Sequence, residues 1–520
     1  MNKKKRAIIS VYDKAGIDEF ARDLVSLGFE IVSSGGTARF LRGKGVAVTD
    51  VEQVTGFPEM LDGRVKTLHP KIHGGILARR ELPDHMAQLE KHGVAPVDVA
   101  AVNLYPFAEV RRKPGATEEE IVENIDIGGP SLVRSAAKNH QSVAVATRPE
   151  HYKLIVDDLK RLGEVSLAVK KELARQAFRL CSEYDSDIAG YFAGGRAAGE
   201  LLPSVMRLDL EQHLTLRYGE NPHQEAGFYL SAGSNPPFRQ LHGKEISYNN
   251  ILDLAAAWDL VSEYGRPACA IVKHTNPCGL AEADNLTKAY LLACESELPP
   301  GPVSRFGGII ACNRPLDTET AMQIIAPGSF YEVIAAPGFF DGVGEIFSGR
   351  KGWGQNVRLV QVDAQNWRRP FVLRSAAGGF LAQTADDRAA DPETLEFAAG
   401  PKPSQAMLDD LMFAFRAVKH VKSNAIAVAK GGQLVGAGAG QMNRLASVRL
   451  ALLQAGERAR GAALASDGFF PFADNIEEAA AAGVAAVIQP GGSVKDAEVV
   501  KRAGELGVSM VLAGVRHFRH

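Results

Sequence analysis

The sequence is poor in cysteine and has almost no net charge, and these shortages exclude several classes of protein. Its five cysteines, Cys181, Cys269, Cys278, Cys294 and Cys312, are dispersed without a CxxC pair, which disfavours a disulfide framework and a zinc ribbon. The 59 basic and 61 acidic residues leave a net charge of -2, so electrostatics give no argument for a nucleic-acid partner. The apolar runs are too short for a membrane span or a signal peptide. We therefore expect a cytoplasmic protein with no membrane partner.

The length and the hydrophobic pattern predict a multidomain α/β protein. A chain of 520 residues exceeds one ordinary core. A strand at Arg6–Tyr12 precedes an amphipathic helical pattern that ends at Gly28, and strand-like runs at Glu30–Ser33, Val97–Leu104 and Ser142–Thr147 continue the alternation. This alternation favours a parallel sheet.

Further helical signals lead to a predicted domain boundary. A capping box at Thr117–Glu120 starts one helix, and a long helical pattern runs from about Val165 to Phe192. The Gly-rich segment Ala193–Ser204 follows, and we place the main boundary there, with domains at 1–198 and 199–520.

The second domain carries two similar segments, KHTNPCG at Lys273–Gly279 and KHVKSNA at Lys419–Ala425, which lie 146 residues apart. Each is followed by a Gly-rich run that ends in Asn-Arg, namely GGIIACNR and GAGAGQMNR. An internal duplication of an α/β unit explains both matches, although matches this short also arise by chance. We expect subdomains at about 199–370 and 371–520.

Two N-terminal motifs favour an anionic ligand. Ser33–Thr37, SSGGT, offers free backbone N–H groups at a predicted helix N-terminus, although an ordinary capped turn is an equal alternative. LDGRVKTLHPKIHGG at Leu61–Gly75 concentrates cations in a segment broken by Gly and Pro. A solvated basic loop and a zinc site at His69 and His73 are the alternatives. Because Pro70 should prevent a regular helical His pair, we disfavour the metal.

A third group of N-terminal residues suits acid–base chemistry. NLYPF at Asn103–Phe107 follows a predicted buried strand, and IDIGGPSLVRSAAKNH begins at Ile125. Together Lys66, Tyr105, Asp126 and Lys138 supply donors, an acceptor and two cations, which a ring closure needs to polarise a formyl oxygen and deprotonate an amide nitrogen.

These motifs, SSGGTA, LDGRVKTLHPKIHGG, NLYPF, IDIGGPS and AAKNH, in this order closely resemble the inosine monophosphate cyclohydrolase domain. The resemblance implies a methylglyoxal-synthase-like fold, with Lys66, Tyr105, Asp126 and Lys138 near the chemistry. It also implies that the nucleotide lies among Ser10, Lys14, Ser34, Gly36, Thr37, Arg64, Thr67, Asn103 and Gly128.

The C-terminal motifs point to a second chemistry. LRYGENPHQ at Leu216–Gln224 is a polar loop, and Lys273 beside His274 offers a cation and a base of near-neutral pKa in one segment. A zinc nucleobase deaminase is an alternative, but the catalytic Glu and the second Cys of that signature are missing. GAGAGQ at Gly436–Gln441 lacks the final Gly of a dinucleotide fingerprint, so we reject NAD.

LRYGENPHQ, YNNILD, VKHTNPCG, FGGIIACNRP, KSNAI, GAGAGQMNR, SDGFFPF and RHFRH together resemble aminoimidazole-carboxamide ribonucleotide (AICAR) formyltransferase. The likeness implies a duplicated cytidine-deaminase-like α/β region, with His274 as the base, Lys273 assisting and Asn424 positioning the formyl group. It places the nucleotide against Arg217, Tyr218, Asn249 and Arg519, and the folate against Phe469, Pro471 and Asp474. Arg305 and Ala255 depart from the expected Ala and Asp.

The two resemblances together imply a bifunctional enzyme family of purine biosynthesis. Such an enzyme formylates AICAR from 10-formyltetrahydrofolate and then cyclises the product to inosine monophosphate (IMP). We expect no tightly bound cofactor, no catalytic metal, and a homodimer with formyltransferase sites at its interface. A regulatory nucleotide-binding protein is the alternative class, and the presence of all four cyclohydrolase residues argues against it.

Overall fold

The computed structural model describes residues 5–61, 64–194, 202, 206, 208–295, 305–367 and 371–520. The chain divides into two compact units, Met1–Val205 and Met206–His520. The predicted boundary between residues 198 and 199, and most of the segment Ala193–Ser204, lie outside the described residues. So does the end of the first predicted subdomain, at residue 370.

The described part of the N-terminal unit alternates strands and helices as predicted. Its elements are β1 (Lys5–Ser10), α1 (Ile17–Ser26), β2 (Phe29–Ser33), α2 (Gly35–Gly43), β3 (Thr49–Asp50), α3 (Val51–Thr55), α4 (Pro70–Leu77), α5 (Pro83–Lys91), β4 (Val99–Val102), α6 (Phe107–Arg112), α7 (Glu118–Glu123), α8 (Gly128–Lys138), β5 (Ala144–Ala146), α9 (Glu150–Leu162) and α10 (Leu167–Phe192). The strands form one parallel sheet in the order β3-β2-β1-β4-β5.

The burial of the strands explains why their sequences form a parallel sheet covered by helices. The residues of β4 and β5 are fully buried because helices cover both faces of a parallel sheet, which is why these strands are continuously apolar in the sequence. Helix α1 buries Ile17, Phe20 and Leu24, the stripe that its spacing predicts. The carboxyl ends of β1, β2 and β4 share one edge, where α/β sheets carry their ligands.

As Pro70 predicts, His69 and His73 do not form a regular helical pair, because His69 lies outside helix α4 in extended backbone (φ −138°, ψ 141°). Pro70 is the first residue of α4, a position where its missing N–H costs nothing. The His69 ring accepts a hydrogen bond from the Lys71 N–H (3.1 Å) as the N-cap, and His73 lies one turn into the helix. The predicted Gly- and Pro-broken loop therefore contains a helix over its second half.

The described part of the C-terminal unit contains a further series of elements. They are β6 (Leu210–Leu216), β7 (Ala226–Ser231), β8 (Phe238–His242), α11 (Tyr248–Val261), β9 (Ala268–Lys273), β10 (Asn276–Glu282), α12 (Leu286–Cys294), β11 (Gly308–Cys312), α13 (Thr318–Ile324), β12 (Tyr331–Ala336), α14 (Val343–Gly349), β13 (Arg358–Val362), α15 (Ala364–Trp367), β14 (Phe371–Ala376), β15 (Gly379–Thr384), β16 (Glu396–Ala399), α16 (Gln405–Lys419), β17 (Ile426–Lys430), β18 (Gln433–Gly438), α17 (Arg444–Ala455), β19 (Ala463–Ser466), α18 (Asp474–Ala481), β20 (Ala486–Gln489), α19 (Asp496–Glu505) and β21 (Ser509–Leu512).

A twelve-stranded sheet organises this unit, in the order β16-β21-β20-β19-β17-β18-β10-β9-β11-β12-β13-β8. The order is symmetric about its centre. Strand β9 is antiparallel to β10 and β11, as β17 is to β18 and β19, and the three outer parallel strands also correspond. A helix, α11 or α16, precedes β9 or β17 in each half. The predicted duplication is therefore confirmed.

The sequence match that indicated the duplication pairs the wrong residues. Lys273 is the last residue of β9, whereas Lys419 is the last residue of α16. The last residue of β17 is Lys430, which lies 157 residues after Lys273 rather than 146. The Gly-rich runs are also mismatched, since one forms β11 and the other β18. The Lys-His resemblance is a coincidence inside a true repeat.

Among the described residues, none of the helices is both long and apolar enough to cross a membrane.

Candidate active sites

The SSGGT motif forms the N-terminus of α2 at the carboxyl end of β2, with Ser34 as its N-cap residue. The Thr37 hydroxyl donates to the Val11 carbonyl (2.9 Å) and accepts from the Val11 N–H (3.2 Å), which fixes the helix against the chain leaving β1. Lys14 Nζ contacts the same hydroxyl at 3.2 Å, and burial lowers the pKa of Lys14. This corner combines a helix N-terminus with a partly buried cation, a combination that suits phosphate.

The structure brings Lys66 and Thr67 to two helix N-termini. A Cβ added at Gly35 would lie 3.1 Å from Lys66 Nζ, and one added at Gly128 would lie 3.1 Å from Thr67 Oγ1. The basic segment therefore lies beside both α2 and α8. The predicted grouping of SSGGT, RVKT and DIGG around one edge of the sheet agrees with these distances.

Asp126 is held just before α8. Its Oδ1 accepts from the Gly129 N–H (2.8 Å), and its carboxylate also accepts the backbone N–H of Tyr105. Residue 129 must be glycine, because an added Cβ would lie 2.3 Å from Asp126 Oδ2. Burial raises the pKa of Asp126 despite these hydrogen bonds. A carboxylate with a raised pKa is suited to take a proton.

Tyr184 supports this carboxylate from α10, and the sequence analysis missed it. Its hydroxyl accepts from the Asp126 N–H (2.7 Å) and donates to the Asn124 carbonyl (3.0 Å), while burial raises its pKa to about 12. Nothing in the spacing of Tyr184 marks it, because 58 residues separate the partners.

Asn103 and Tyr105 lie at the carboxyl end of β4. Asn103 Oδ1 accepts from the Asp13 N–H (3.1 Å) and its Nδ2 donates to the Asp13 carbonyl (3.0 Å), so this side chain braces the loop after β1. Ser10, the last residue of β1, pairs with Val102 of β4. The Tyr105 side chain is 46% exposed and packs edge-on against Tyr12, with ring centroids 6.0 Å apart. Its hydroxyl is thus accessible to a ligand at this edge.

Two predicted cations have carboxylate partners that the sequence analysis did not identify. Lys66 Nζ lies 3.1 Å from Glu59 Oε2, and Arg64 pairs with Glu123 of α7. All four side chains are at least partly exposed. An anionic ligand would therefore exchange with these carboxylates, at little cost for such exposed pairs.

Lys138 is not brought to this edge. It is the last residue of α8, whereas Asp126 precedes the first. Eleven helical residues span roughly 16 Å at about 1.5 Å per residue, so the two side chains lie at opposite ends of the helix. Within one chain, Lys138 does not join Lys66, Tyr105 and Asp126.

The second candidate site begins at the turn between β9 and β10. His274 and Thr275 form this turn, both with left-handed backbone (φ 52° and 60°). The Asp253 carboxylate accepts their N–H groups at 3.2 and 2.6 Å, and Lys273 Nζ donates to the Phe306 carbonyl at 3.0 Å. The His274 side chain is exposed. Asp253 was not predicted, because only the folded turn reveals its role.

The centre of the sheet brings both repeats to this turn. The carboxyl end of β9, the amino end of β10, the carboxyl end of β18 and the amino end of β17 share one edge, which we call the site edge. There Asn276 Oδ1 accepts from the Lys422 N–H (3.1 Å), and Asn276 Nδ2 donates to the His274 carbonyl (3.0 Å). The segment containing Asn424 is thus joined to the His274 turn.

Asn424 belongs to a buried polar network. Its Nδ2 donates to the Gln441 carbonyl (2.9 Å) and its Oδ1 accepts from Arg444 Nη2 (2.8 Å). Arg444 pairs with Asp467, and these side chains are 6% and 0% exposed. Such a satisfied network fixes the orientation of the Asn424 amide. Arg444 and Asp467 lie within the motifs GAGAGQMNR and SDGFFPF, but their pairing was missed because 23 residues separate them.

A pocket of about 330 Å³ adjoins this network. Among the residues that line it are four predicted site residues, Asn424, Phe469, Pro471 and Asp474. Phe472 and Phe518 add aromatic surface, so the pocket combines rings with amide and carboxylate groups. This composition suits a flat heteroaromatic ligand.

The residues predicted to bind the AICAR nucleotide lie at separate positions in the C-terminal unit. Arg519 is largely buried, donates from Nη1 to the His420 carbonyl (3.2 Å), and is joined to Ser423 by the Ser423 N–H to Arg519 carbonyl bond (2.9 Å). It therefore lies beside Asn424. Arg217 stacks over Tyr218 (5.4 Å) in the predicted loop after β6, and Asn249 at the start of α11 donates to the Glu220 carbonyl (3.3 Å) of that loop.

The metal alternatives gain no support from the described residues. Within those ranges, no group of three or more His, Cys, Asp or Glu side chains is arranged to hold a metal ion. His73 Nδ1 instead contacts Ser135 Oγ (2.9 Å). Of the two departures from the family pattern, Arg305 donates to the Cys294 carbonyl (2.8 Å), and Ala255 lies half-buried in α11.

These features define a two-site α/β enzyme that acts on anionic, heteroaromatic substrates. Residues 16–131 match the MGS-like domain family, and residues 136–454 match the AICARFT/IMPCHase bienzyme family. The chain therefore belongs to the AICARFT/IMPCHase bienzyme family, and it is a bifunctional purine-biosynthesis enzyme, an AICAR formyltransferase and IMP cyclohydrolase. This family implies nucleotide substrates and a folate co-substrate.

Full-length relatives agree with this family. A bifunctional purine biosynthesis protein PurH from Desulfitobacterium hafniense is 49% identical over 527 aligned residues, which cover 99% of this chain and 100% of the relative. The corresponding protein of Anoxybacillus flavithermus is 47% identical over 523 residues, again 99% and 100%. The solved structure described as "Crystal structure of ForH" aligns with 37% of this chain and 100% of its own at 31% identity, with a TM-score of 0.33, too low to define a shared fold.

Proposed function

We propose that the two activities are divided between the two units, with cyclisation at residues 1–198 and formyl transfer at residues 199–520. The observation that carries this division is the separation of the two polar clusters. Lys66, Tyr105 and Asp126 lie at the edge of the parallel sheet, whereas His274 and Asn424 lie at the edge of the twelve-stranded sheet.

For formyl transfer, His274 withdraws the proton from the AICAR amine as its nitrogen attacks the formyl carbon of 10-formyltetrahydrofolate. The bond from that carbon to the folate nitrogen then breaks, and the folate nitrogen takes up a proton. An exposed histidine is suited to this role because an unprotonated ring nitrogen can accept the proton of the amine. Lys273 stabilises the developing oxyanion, and Asn424 positions the formyl group.

The substrates are assigned to the surrounding residues. The folate occupies the pocket of Phe469, Pro471 and Asp474, and the nucleotide contacts Arg217, Tyr218, Asn249 and Arg519. Formyltetrahydrofolate acts as a co-substrate, and the proposal requires no tightly bound cofactor and no catalytic metal.

For cyclisation, Asp126 takes a proton from the carboxamide nitrogen as that nitrogen attacks the formyl carbon, and the formyl oxygen takes up a proton to become a hydroxyl. The C–O bond then breaks, the hydroxyl leaves as water with the proton of the formamide nitrogen, and the C=N bond of the ring forms. Lys66 and the Tyr105 hydroxyl stabilise the oxygen that departs. The phosphate lies at the N-terminus of α2, against Ser34, Gly36, Thr37 and Lys14. Ser10, Arg64, Thr67, Asn103 and Gly128 complete the nucleotide site. Because Lys138 lies at the far end of α8, this sequence of steps does not use it.

We further propose a cytoplasmic homodimer with formyltransferase sites at the interface. The β14–β15 hairpin supports this proposal, because Phe380 and Leu381 are 70% and 64% exposed, more than a monomer usually leaves on one ribbon. Sedimentation at assay concentration should give a dimer. A fully active monomer would contradict it.

The decisive experiment follows both reactions in one assay. The purified chain is incubated with AICAR and 10-formyltetrahydrofolate, and the formylated intermediate and IMP are separated and quantified. We expect IMP from the native chain and accumulated intermediate from Lys66→Ala. His274→Ala should give neither product from AICAR, but should give IMP when the formylated intermediate is supplied. His213→Ala and Lys91→Ala, at exposed positions away from both clusters, serve as controls. Loss of both activities in either site variant would refute the division.

A further inference from the structure

The turn that carries His274 has a counterpart in the other repeat, at Gly431–Gly432 between β17 and β18. The two turns lie 157 residues apart, the spacing at which the repeats are in register. Both have consecutive left-handed residues, with φ of 52° and 60° in the first and 62° and 72° in the second. The second turn lies at the edge of the sheet opposite the site edge.

Each turn is held by an aspartate from the preceding helix. Asp253, the sixth residue of α11, accepts the N–H groups of His274 and Thr275 at 3.2 and 2.6 Å. Asp410, the sixth residue of α16, accepts those of Gly431 and Gly432 at 2.9 Å each. The repeat has therefore kept one carboxylate clamp in both copies.

The two copies differ in the residues that the clamp holds. Glycine adopts left-handed backbone freely, so the turn at Gly431 and Gly432 is unstrained. Histidine and threonine adopt it at an energetic cost, because their Cβ approaches the following carbonyl oxygen, and β-branched residues are genuine outliers there. Only the turn at the site edge has residues with side chains in this strained backbone conformation. Strain that persists in one copy of a repeat indicates a functional constraint.

We infer that Asp253 is a positioning residue for formyl transfer, which holds His274 in the left-handed conformation that places its imidazole at the site edge. This inference rests on the proposed role of His274. The two hydrogen bonds that the Asp253 carboxylate accepts offset the backbone strain of the turn, and Asn276 Nδ2 adds a third contact, to the His274 carbonyl. Without the carboxylate, the turn relaxes toward ordinary backbone and the imidazole moves.

The test combines Asp253→Ala with a rescue. In the full chain we expect Asp253→Ala to lower kcat for formyl transfer by about 10²-fold, the size of effect that a 1 Å misplacement produces, with KM for AICAR changed less than threefold. Thr275→Gly in the same chain removes one strained side chain and should recover about tenfold of kcat. Asp253→Asn, which keeps one acceptor oxygen, should fall between the native chain and Asp253→Ala.

Asp410→Ala is the matched control, since it removes the same clamp from the turn without a base. It should leave kcat within twofold while lowering the melting temperature about as much as Asp253→Ala does. Equal loss of kcat in both alanine variants, or no recovery with Thr275→Gly, would overturn the inference, because either result indicates general destabilisation.

A second readout separates this inference from the proposed function. In ¹³C-histidine-labelled protein, the His274 ring signal, identified by its absence in His274→Ala, should shift in Asp253→Ala and not in Asp410→Ala. If His274→Ala itself retains formyl transfer, the proposed role of His274 fails. If His274→Ala is inactive and Asp253→Ala keeps native kcat and an unshifted ring signal, only the positioning role fails.

Discussion

The two sheets of this protein bring their polar residues together by different rules. In the described part of the N-terminal unit the five strands of the sheet pair in parallel, so the carboxyl ends of β1, β2 and β4 share one edge and the loops after them form the first candidate site. In the C-terminal unit the central strands are antiparallel, so a turn after β9 meets the start of β17. Site residues therefore follow strands in the first sheet, whereas in the second they belong to two copies of a repeat.

The largest effect that tests this contrast is expected for His274→Ala. Loss of a general base typically costs about 10²–10⁴-fold, so the single-turnover rate of formyl transfer should fall by that factor. AICAR affinity, measured by calorimetry, should change little because the proposed phosphate-binding residues are arginines such as Arg217 and Arg519, not His274. Cyclisation of the formylated nucleotide should be unaffected. A loss explained wholly by weaker binding would remove His274 from catalysis.

Lys66→Ala should give the next largest effect, and it should lower the rate of cyclisation rather than the rate of formyl transfer. Removing one group that stabilises a developing charge costs about 10²–10³-fold in kcat, so cyclisation should fall by that factor while formyl transfer stays within twofold. The two rates are measured separately with AICAR and with its formylated product. Parallel loss of both rates in the folded variant would mean that the two sheets do not act independently.

Asp126→Asn should lower cyclisation by about 10²-fold and stabilise the fold. Because burial raises the pKa of Asp126, the folded chain binds this proton more tightly than the unfolded chain, so stability is lost as pH rises through the raised pKa. Asn does not titrate and keeps an acceptor for the Gly129 N–H. In thermal melts, the melting temperature of Asp126→Asn should exceed that of the native chain by an amount that grows as pH rises above about 4. A variant less stable than native at neutral pH would contradict this account.

The smallest effect is expected for Lys138→Ala. Its position at the far end of α8 predicts a cyclisation rate within about tenfold of native, well short of a typical charge-stabilising group. The comparison is with Lys66→Ala under the same conditions. A loss as large as that of Lys66→Ala would show that Lys138 acts in a cyclohydrolase site on another copy of the chain.

Local features were predictable from the sequence and long-range ones were not. The apolar stripe of α1 and the capping box at Thr117–Glu120 depend on neighbouring residues, and both were confirmed. The helix that begins at Pro70 was not predicted, because proline both ends helices and begins them, and its local sequence does not decide which.

Most of the site partners that were missed are distant in sequence, although Glu59 lies only seven residues before Lys66. Asp253 reaches its turn across about 20 residues, and Glu123 reaches Arg64 across 59. The repeat was recognised on a false alignment, because topology is retained where sequence is not: a histidine in one copy corresponds to a glycine in the other.

The central seam of the large sheet has a consequence for synthesis in the cell. Strand β10 pairs with β18 at Ala281 and Gln433, so the β10 edge of the first repeat stays uncovered until β18 has been synthesised. At about 5–20 residues per second, the roughly 70 residues from the end of β13 to the start of β18 take roughly 4–14 s to emerge from the ribosome. During that interval β10 is an open edge strand that any other extended chain can join. The nascent chain is therefore most exposed to aggregation, and most in need of a chaperone, between the completion of its first repeat and the arrival of β18.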